Sequence, residues 1–122
     1  MNPEELKKRF RAYALMCIRV AGAFPRNAAG DVIGRQLIKS GTSSAANYRS
    51  ACVGRSKAEF VAKLGIVHEE LDESVFWVEL APDANLVKPD VVAPVLSEGN
   101  QLLAIVIASL NTAKQNASRT NK

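Results

Sequence analysis

Alternating steps of four and three residues between its apolar positions constrain this chain more than any other feature. From Phe60 the run continues through Leu64, Val67, Leu71, Ser74, Val78 and Ala81, a 4-3 repeat held for three heptads. That spacing lines one side of an α-helix, whereas a strand would need a period of two. The alternation recurs in three more segments. Leu6, Phe10, Tyr13, Cys17, Val20 and Phe24 make one stripe, and Ile33, Leu37, Gly41, Ser44, Tyr48 and Ala51 make another. Val92, Leu96, Gly99, Leu103, Val106 and Leu110 make the last.

Breaks between the stripes carry the residues that start and stop helices. Asn2 is placed to cap a helix with Pro3 at its first position and Glu4 and Glu5 in its first turn. Pro25 ends that helix, the stretch to Gly30 is rich in turn formers, and Asp31 is a candidate cap for the next. Val53-Gly54-Arg55 interrupts the second stripe, and Ser56-Lys57-Ala58-Glu59 reads as a capping box. Pro82 to Asn85 closes the third segment, and the fourth opens near Pro89 or Asp90, with Pro94 tolerable only near its first turn. The pattern predicts helices over about 3–24, 31–53, 57–81 and 90–114, followed by a flexible polar tail over 116–122. Four helices with short connections in 122 residues point to one all-α domain, an antiparallel up-down-up-down four-helix bundle.

Residues 40–47, SGTSSAAN, are small or polar almost throughout. A phosphate-gripping loop would need a preceding strand and a GxxxxGK[ST] pattern, and neither is present. The run instead stays in phase with the helical stripe on both sides. Glycine and serine are poor helix formers, so what they supply is room for a neighbouring helix. Gly41, Ser44 and Ala45 are therefore expected at a tight helix crossing, with hydroxyls bonding back to their own backbone.

Little in the chain suggests catalysis or metal binding. Cys17 and Cys52 sit on apolar positions 35 residues apart, which predicts buried free thiols and a reducing cytoplasm rather than a disulfide or a metal site. His68-Glu69-Glu70-Leu71-Asp72 imitates the start of HExxH, but the second histidine is replaced by Asp72 and His68 has no histidine companion. Glu70 and Glu73 share a helix face with Ile66 and Trp77. They are expected as a partly buried carboxylate pair held by Asn47, Tyr48 or an arginine such as Arg35, Arg49 or Arg55. The N-terminal residues lack the apolar core of a signal peptide, no apolar run approaches about 18 residues, and no membrane contact is expected.

Charge is the feature with functional promise. Residues 1–63 hold twelve Lys and Arg against four acids, residues 64–100 hold eight acids against Lys88, and the last 22 residues are basic. Lys7, Lys8, Arg9 and Arg11, followed by Arg26, Arg35 and Lys39, could make a phosphate-facing surface, multiplied if copies were arranged in a ring. The bland reading is that basic and acidic surfaces of neighbouring helices or subunits meet each other.

Gln36, Leu37, Ser40, Thr42, Ser43, Ala46 and Asn47, then Ser56 and Phe60, then Glu70, Glu73, Ser74 and Trp77 match a longer pattern. That pattern, QL-x-x-S-x-T-S-x-x-A-N, S-x-x-x-F and E-x-x-E-[ST]-x-x-W, resembles the small bacterial proteins associated with intervening sequences of 23S ribosomal RNA genes. The likeness runs over roughly residues 6–115. Where that family usually has a glutamate shortly after the Asn47 position, this chain has Ser50. The resemblance implies an antiparallel bundle assembled into a homopentameric ring with a central channel. Gly41, Ser44, Asn47, Glu70, Glu73 and Trp77 would be its structural motif. Related accessory proteins of diversity-generating retroelements bind nucleic acid and a reverse transcriptase. The expected function is a non-enzymatic, ring-forming bundle without cofactor or metal, binding RNA or DNA through backbone phosphates at Lys7, Lys8, Arg9, Arg11, Arg26, Arg35 and Lys39. The alternative is a scaffold that recruits a partner protein, such as a reverse transcriptase, without touching nucleic acid.

Overall fold

Four helices follow one another in the computed structural model, which describes the backbone of residues 1–120 and the side chains through Asn116. They are α1 (Pro3–Gly22), α2 (Ala28–Cys52), α3 (Lys57–Asp83) and α4 (Pro89–Thr120). Each start has a local cause. The Asn2 side-chain oxygen accepts the Glu5 N–H at 2.8 Å, with Pro3 at the first helical position, where no backbone donor is needed. Helix α2 begins three residues before the expected Asp31, because Asn27 is its cap and accepts the Gly30 N–H at 2.8 Å. A side chain at Gly30 would strike the Pro25 carbonyl, so the tight entry into α2 requires glycine there. Ser56 accepts the Glu59 N–H at 3.1 Å, while the Glu59 carboxylate reaches back to the Arg55 N–H at 2.7 Å, one residue earlier than the usual reciprocal bond.

Helix ends differ modestly from the expected ones. Helix α1 stops at Gly22, two residues early, and α3 runs on to Asp83 with Pro82 in its last turn. Proline is tolerated there because it removes a single backbone bond near the end. Asn85 then takes a left-handed conformation with φ 59°, and the Leu86 N–H returns to the Ala81 carbonyl at 3.0 Å. Helix α4 continues past residue 114 to Thr120, so most of the expected tail is helical; residues 121–122 lie outside the described part.

Contacts between helices give their directions. The Phe10 ring stacks on Tyr48 with centroids 4.9 Å apart. Cys17 lies against Gly41, and Ala21 and Phe24 lie against Gly34. Numbers rise along α1 as they fall along α2, so the pair is antiparallel. Val75 lies against Gly99, and the start of α3 shares a cleft with the end of α4, which makes that pair antiparallel too. Residues 53–56 join α2 to α3, and α1 meets α4 where Tyr13 and Arg9 reach Gly99 and Glu98. The core is built from the predicted stripes: Phe10, Tyr13, Leu37, Leu64, Leu71 and Leu102 are fully buried. Each such side chain contributes roughly 1.5–3 kcal/mol through removal from water.

The small-residue run is a continuous part of α2, packed against α1. A Cβ on Gly41 would lie 2.7 Å from Cys17 Sγ and 2.9 Å from Cys17 Cβ. Ser40 and Ser44 are buried, and Ala45 is half-buried. Ser40 donates to the Gln36 carbonyl at 2.8 Å, Thr42 to that of Ile38 at 2.6 Å and Ser44 to that of Gly41 at 2.7 Å. The hydroxyls are thus satisfied inside their own helix, and no anion is needed to pair them.

Candidate nucleic-acid interface

Residues three and four apart on α1 are neighbours on its surface, which sets Lys7 and Lys8 beside Arg11 on the side turned toward the last turns of α2. There they meet Arg49 around a cleft of about 540 Å³, floored by Ala45 and Ala46. Short alanine side chains keep the floor low while the four long basic ones stand around it. Glu4 is the acid of this cleft, and it pairs with Lys7 at 2.8 Å. The hydrogen bond between them raises the Lys7 pKa and lowers that of Glu4. Lys8, Arg11 and Arg49 have no acidic partner among the described residues. Arg49 was absent from the basic set read off the sequence, because 38 positions separate it from Arg11 and the antiparallel pairing of α1 with α2 brings the two together.

Arg9 does something else. Its Nε donates to Glu98 Oε2 at 3.0 Å, and one terminal nitrogen donates to Glu98 Oε1 at 2.5 Å and to Gln101 at 3.2 Å. Both partners of this bidentate pair are about three-quarters covered, at 25% and 22% exposure. Arg9 therefore braces α1 against α4 and is not free to face phosphate, contrary to the sequence expectation. Arg26, Arg35 and Lys39 are exposed, but they lie in the α1–α2 turn and the first half of α2, away from the cleft. The seven basic residues thus form a cleft cluster, a structural strut and a distant scatter.

Antiparallel packing adds further charge to the cleft's end of the bundle. The start of α1, the end of α2, the start of α3 and the end of α4 meet there, so exposed Arg55, Lys57 and Lys114 join Lys8, Arg11 and Arg49. Exposed Asp31, Glu79, Asp83 and Asp90 lie toward the other end. Exposed Arg19, Arg26, Arg35 and Lys88 lie there too, so the excess of positive charge sits at the cleft's end.

The expected carboxylate pair is not assembled. Glu73 is exposed and Glu70 half-buried, and neither bonds to Asn47, Tyr48, Arg35, Arg49 or Arg55. Asn47 instead turns back on Ser43, to its carbonyl at 2.9 Å and its hydroxyl at 3.0 Å, and Tyr48 is committed to Phe10. Beside these acids Phe76 stands 53% exposed and meets the edge of Trp77. Trp77 Nε1 is buried without a hydrogen-bond acceptor, an uncommon and costly arrangement. His68 is half-buried, and the described residues bring no three potential metal ligands together. Cys17 is buried and desolvation pushes its thiol up to about 12, whereas Cys52 is half-buried, less enclosed than expected. By length and composition Pro89–Asn116 is apolar enough to cross a membrane, with a mean hydropathy of 1.6. Val92, Val95, Leu102 and Val106 pack in the bundle core, while 28% of the apolar window as a whole is buried.

These features define the class: an all-α four-helix bundle with a basic cleft and an exposed phenylalanine on α3. The model of the family described as 23S rRNA-intervening sequence protein matches residues 5–108, and the chain belongs to that family. Its fold is similar to the crystal structure of a protein with unknown function from the S23 ribosomal protein family of Bacteroides thetaiotaomicron VPI-5482. The TM-score is 0.79 at 23% identity, over 86% of this chain and 97% of that one. Among curated proteins, none matches the chain.

Proposed function

We propose that this protein is a non-enzymatic, ring-forming homo-oligomer that binds RNA or DNA through backbone phosphates at the basic end of the bundle. The observation that carries this reading is the convergence of Lys8, Arg11 and Arg49, unpaired, on the α1–α2 cleft beside Lys7. Such a cleft recognises phosphate without reading bases. Repetition around a ring, five copies as the family resemblance implies, would multiply an otherwise mild net charge of +4. A heterologous ring needs two different faces, and the outward side of α3 supports one of them. Phe76 is uncovered there, lying against the edge of Trp77.

Fluorescence anisotropy with a structured RNA, repeated across salt concentrations, tests the nucleic-acid reading. Affinity should fall steeply with salt, and Lys8→Glu with Arg11→Glu should weaken binding and flatten the slope, by about 0.7–0.9 per lost phosphate contact. Absence of binding at low salt would overturn it. The same exposed Phe76, flanked by Glu73 and Glu79, favours the second reading, a scaffold that recruits a partner protein such as a reverse transcriptase. In that case Phe76→Ala would abolish recruitment while the charge reversals left it intact.

A further inference from the structure

A second concavity lies between the start of α3 and the end of α4, apart from the α1–α2 cleft. It is an open groove of about 690 Å³, a volume within the range of small-molecule sites. Phe60, Ala108 and Ala113 give it apolar walls, and Ser109 and Thr112 add hydroxyls. Arg55 and Lys57 stand at its edge, and neither side chain has an ion-pair partner among the described residues. The Glu59 carboxylate accepts the Arg55 backbone N–H at 2.7 Å and does not line this cleft. The cleft exists because of the sequence. Gly54 closes the turn without a side chain, and residues 108, 109, 112 and 113 of α4 are all small, so one face of Phe60's surroundings is left unfilled.

We propose that this cleft binds a small organic anion: a single phosphate or carboxylate carried on an apolar body. Arg55 and Lys57 would hold the anionic group through charge-assisted hydrogen bonds, Ser109 and Thr112 would supply the remaining polar contacts, and the body would lie along Phe60 and the alanines. This goes beyond backbone-phosphate binding: Arg55 and Lys57 belong to the same basic end, but the apolar wall beside them lies on α3 and α4, outside the cleft of Lys8, Arg11 and Arg49. An ion alone would satisfy the cations and leave the apolar wall wet; a long nucleic-acid backbone would have no use for the wall.

Titration of the full chain by heteronuclear NMR separates the possibilities, with phenyl phosphate, adenosine monophosphate, octanoate and inorganic phosphate as probes. Saturable binding of an organic anion, with a Kd below about 1 mM and shifts confined to residues 54–60 and 108–113, supports the site. The preferred probe then tells whether nucleotide-like or fatty carboxylate chemistry is its source. Arg55→Gln should weaken binding about tenfold, and Ala108→Trp, at an exposed position, should fill the cleft and abolish binding while the helical signal is retained. Inorganic phosphate binding as well as phenyl phosphate would overturn the proposal, as would the absence of saturation by every organic probe. Lys8→Glu with Arg11→Glu should leave these titrations unchanged, so the failure of either site is read independently of the other.

Discussion

Tyr13 on α1 and Ser74 on α3 are joined by a 2.7 Å hydrogen bond through the middle of the bundle. Its direction follows from proton counting. Ser74 Oγ has one proton and donates it to the Leu71 carbonyl at 2.6 Å, so the Tyr13 phenol is the donor and Ser74 the acceptor. Both residues are fully buried. A stripe position that reads as a small polar interruption is thus the anchor for the largest fully buried side chain of α1.

Removing the phenol oxygen isolates this bond. Tyr13→Phe should cost about 1 kcal/mol in urea unfolding. Combined with Ser74→Ala it should show a coupling energy, the double variant losing less than the two single losses added together. Additive losses would show that the bond contributes nothing of its own.

The close approach of Gly41 to Cys17 makes a sharper test of packing. Gly41→Ala improves helix propensity by about 1 kcal/mol, yet its Cβ would sit 2.7 Å from Cys17 Sγ. Overpacking of this kind costs about 1–3 kcal/mol, so a net loss of stability is expected. Replacing Cys17 by alanine in the same chain should recover part of it, which thermal or urea unfolding would read directly.

The two arginines of α1 that lie two residues apart should separate stability from binding. Arg9→Ala leaves the Glu98 carboxylate largely covered and without its bidentate partner. The protein should lose about 1–3 kcal/mol of stability, with little change in the salt slope of RNA binding. Arg11→Ala should do the reverse, since Arg11 is exposed and unpaired.

Alkaline pH should unfold the protein through its buried phenols and thiol. Burial raises Cys17 from 9.0 to about 12, and it raises Tyr13 and Tyr48 as well. Below the unfolded value these groups are neutral in both states and their contribution to stability is complete. Above about pH 9 the unfolded chain ionises first, and stability falls by up to about 1.4 kcal/mol per pH unit for each group until the folded pKa is passed. Urea midpoints measured from pH 8 to 11 should show this decline. Cys17→Ala should flatten its first part.

Thiol labelling gives a kinetic counterpart. Half-buried Cys52 should react with a disulfide reagent in the folded protein, while Cys17, buried and held as the neutral thiol, should wait for unfolding. Equal rates would contradict the packing around Gly41.

Sequence alone determined the helices, the stripes that become the core and the meaning of the SGTSSAAN run, because helical periodicity, caps and side-chain size act over a few residues. It also grouped Lys7, Lys8 and Arg11, near neighbours on one turn of one helix, which line one cleft in the structure. What needed tertiary structure was every relation across helices. Arg49 joined the cleft and Arg9 left it for Glu98, since charge pairing depends on distances of a few ångströms between segments tens of residues apart. Glu70 and Glu73 failed to meet Asn47 or Tyr48 for the same reason, as each of those found a nearer partner. The small residues near 108–113, unremarked as a group in the sequence, became the wall of a cleft only when the end of α4 was laid beside Phe60.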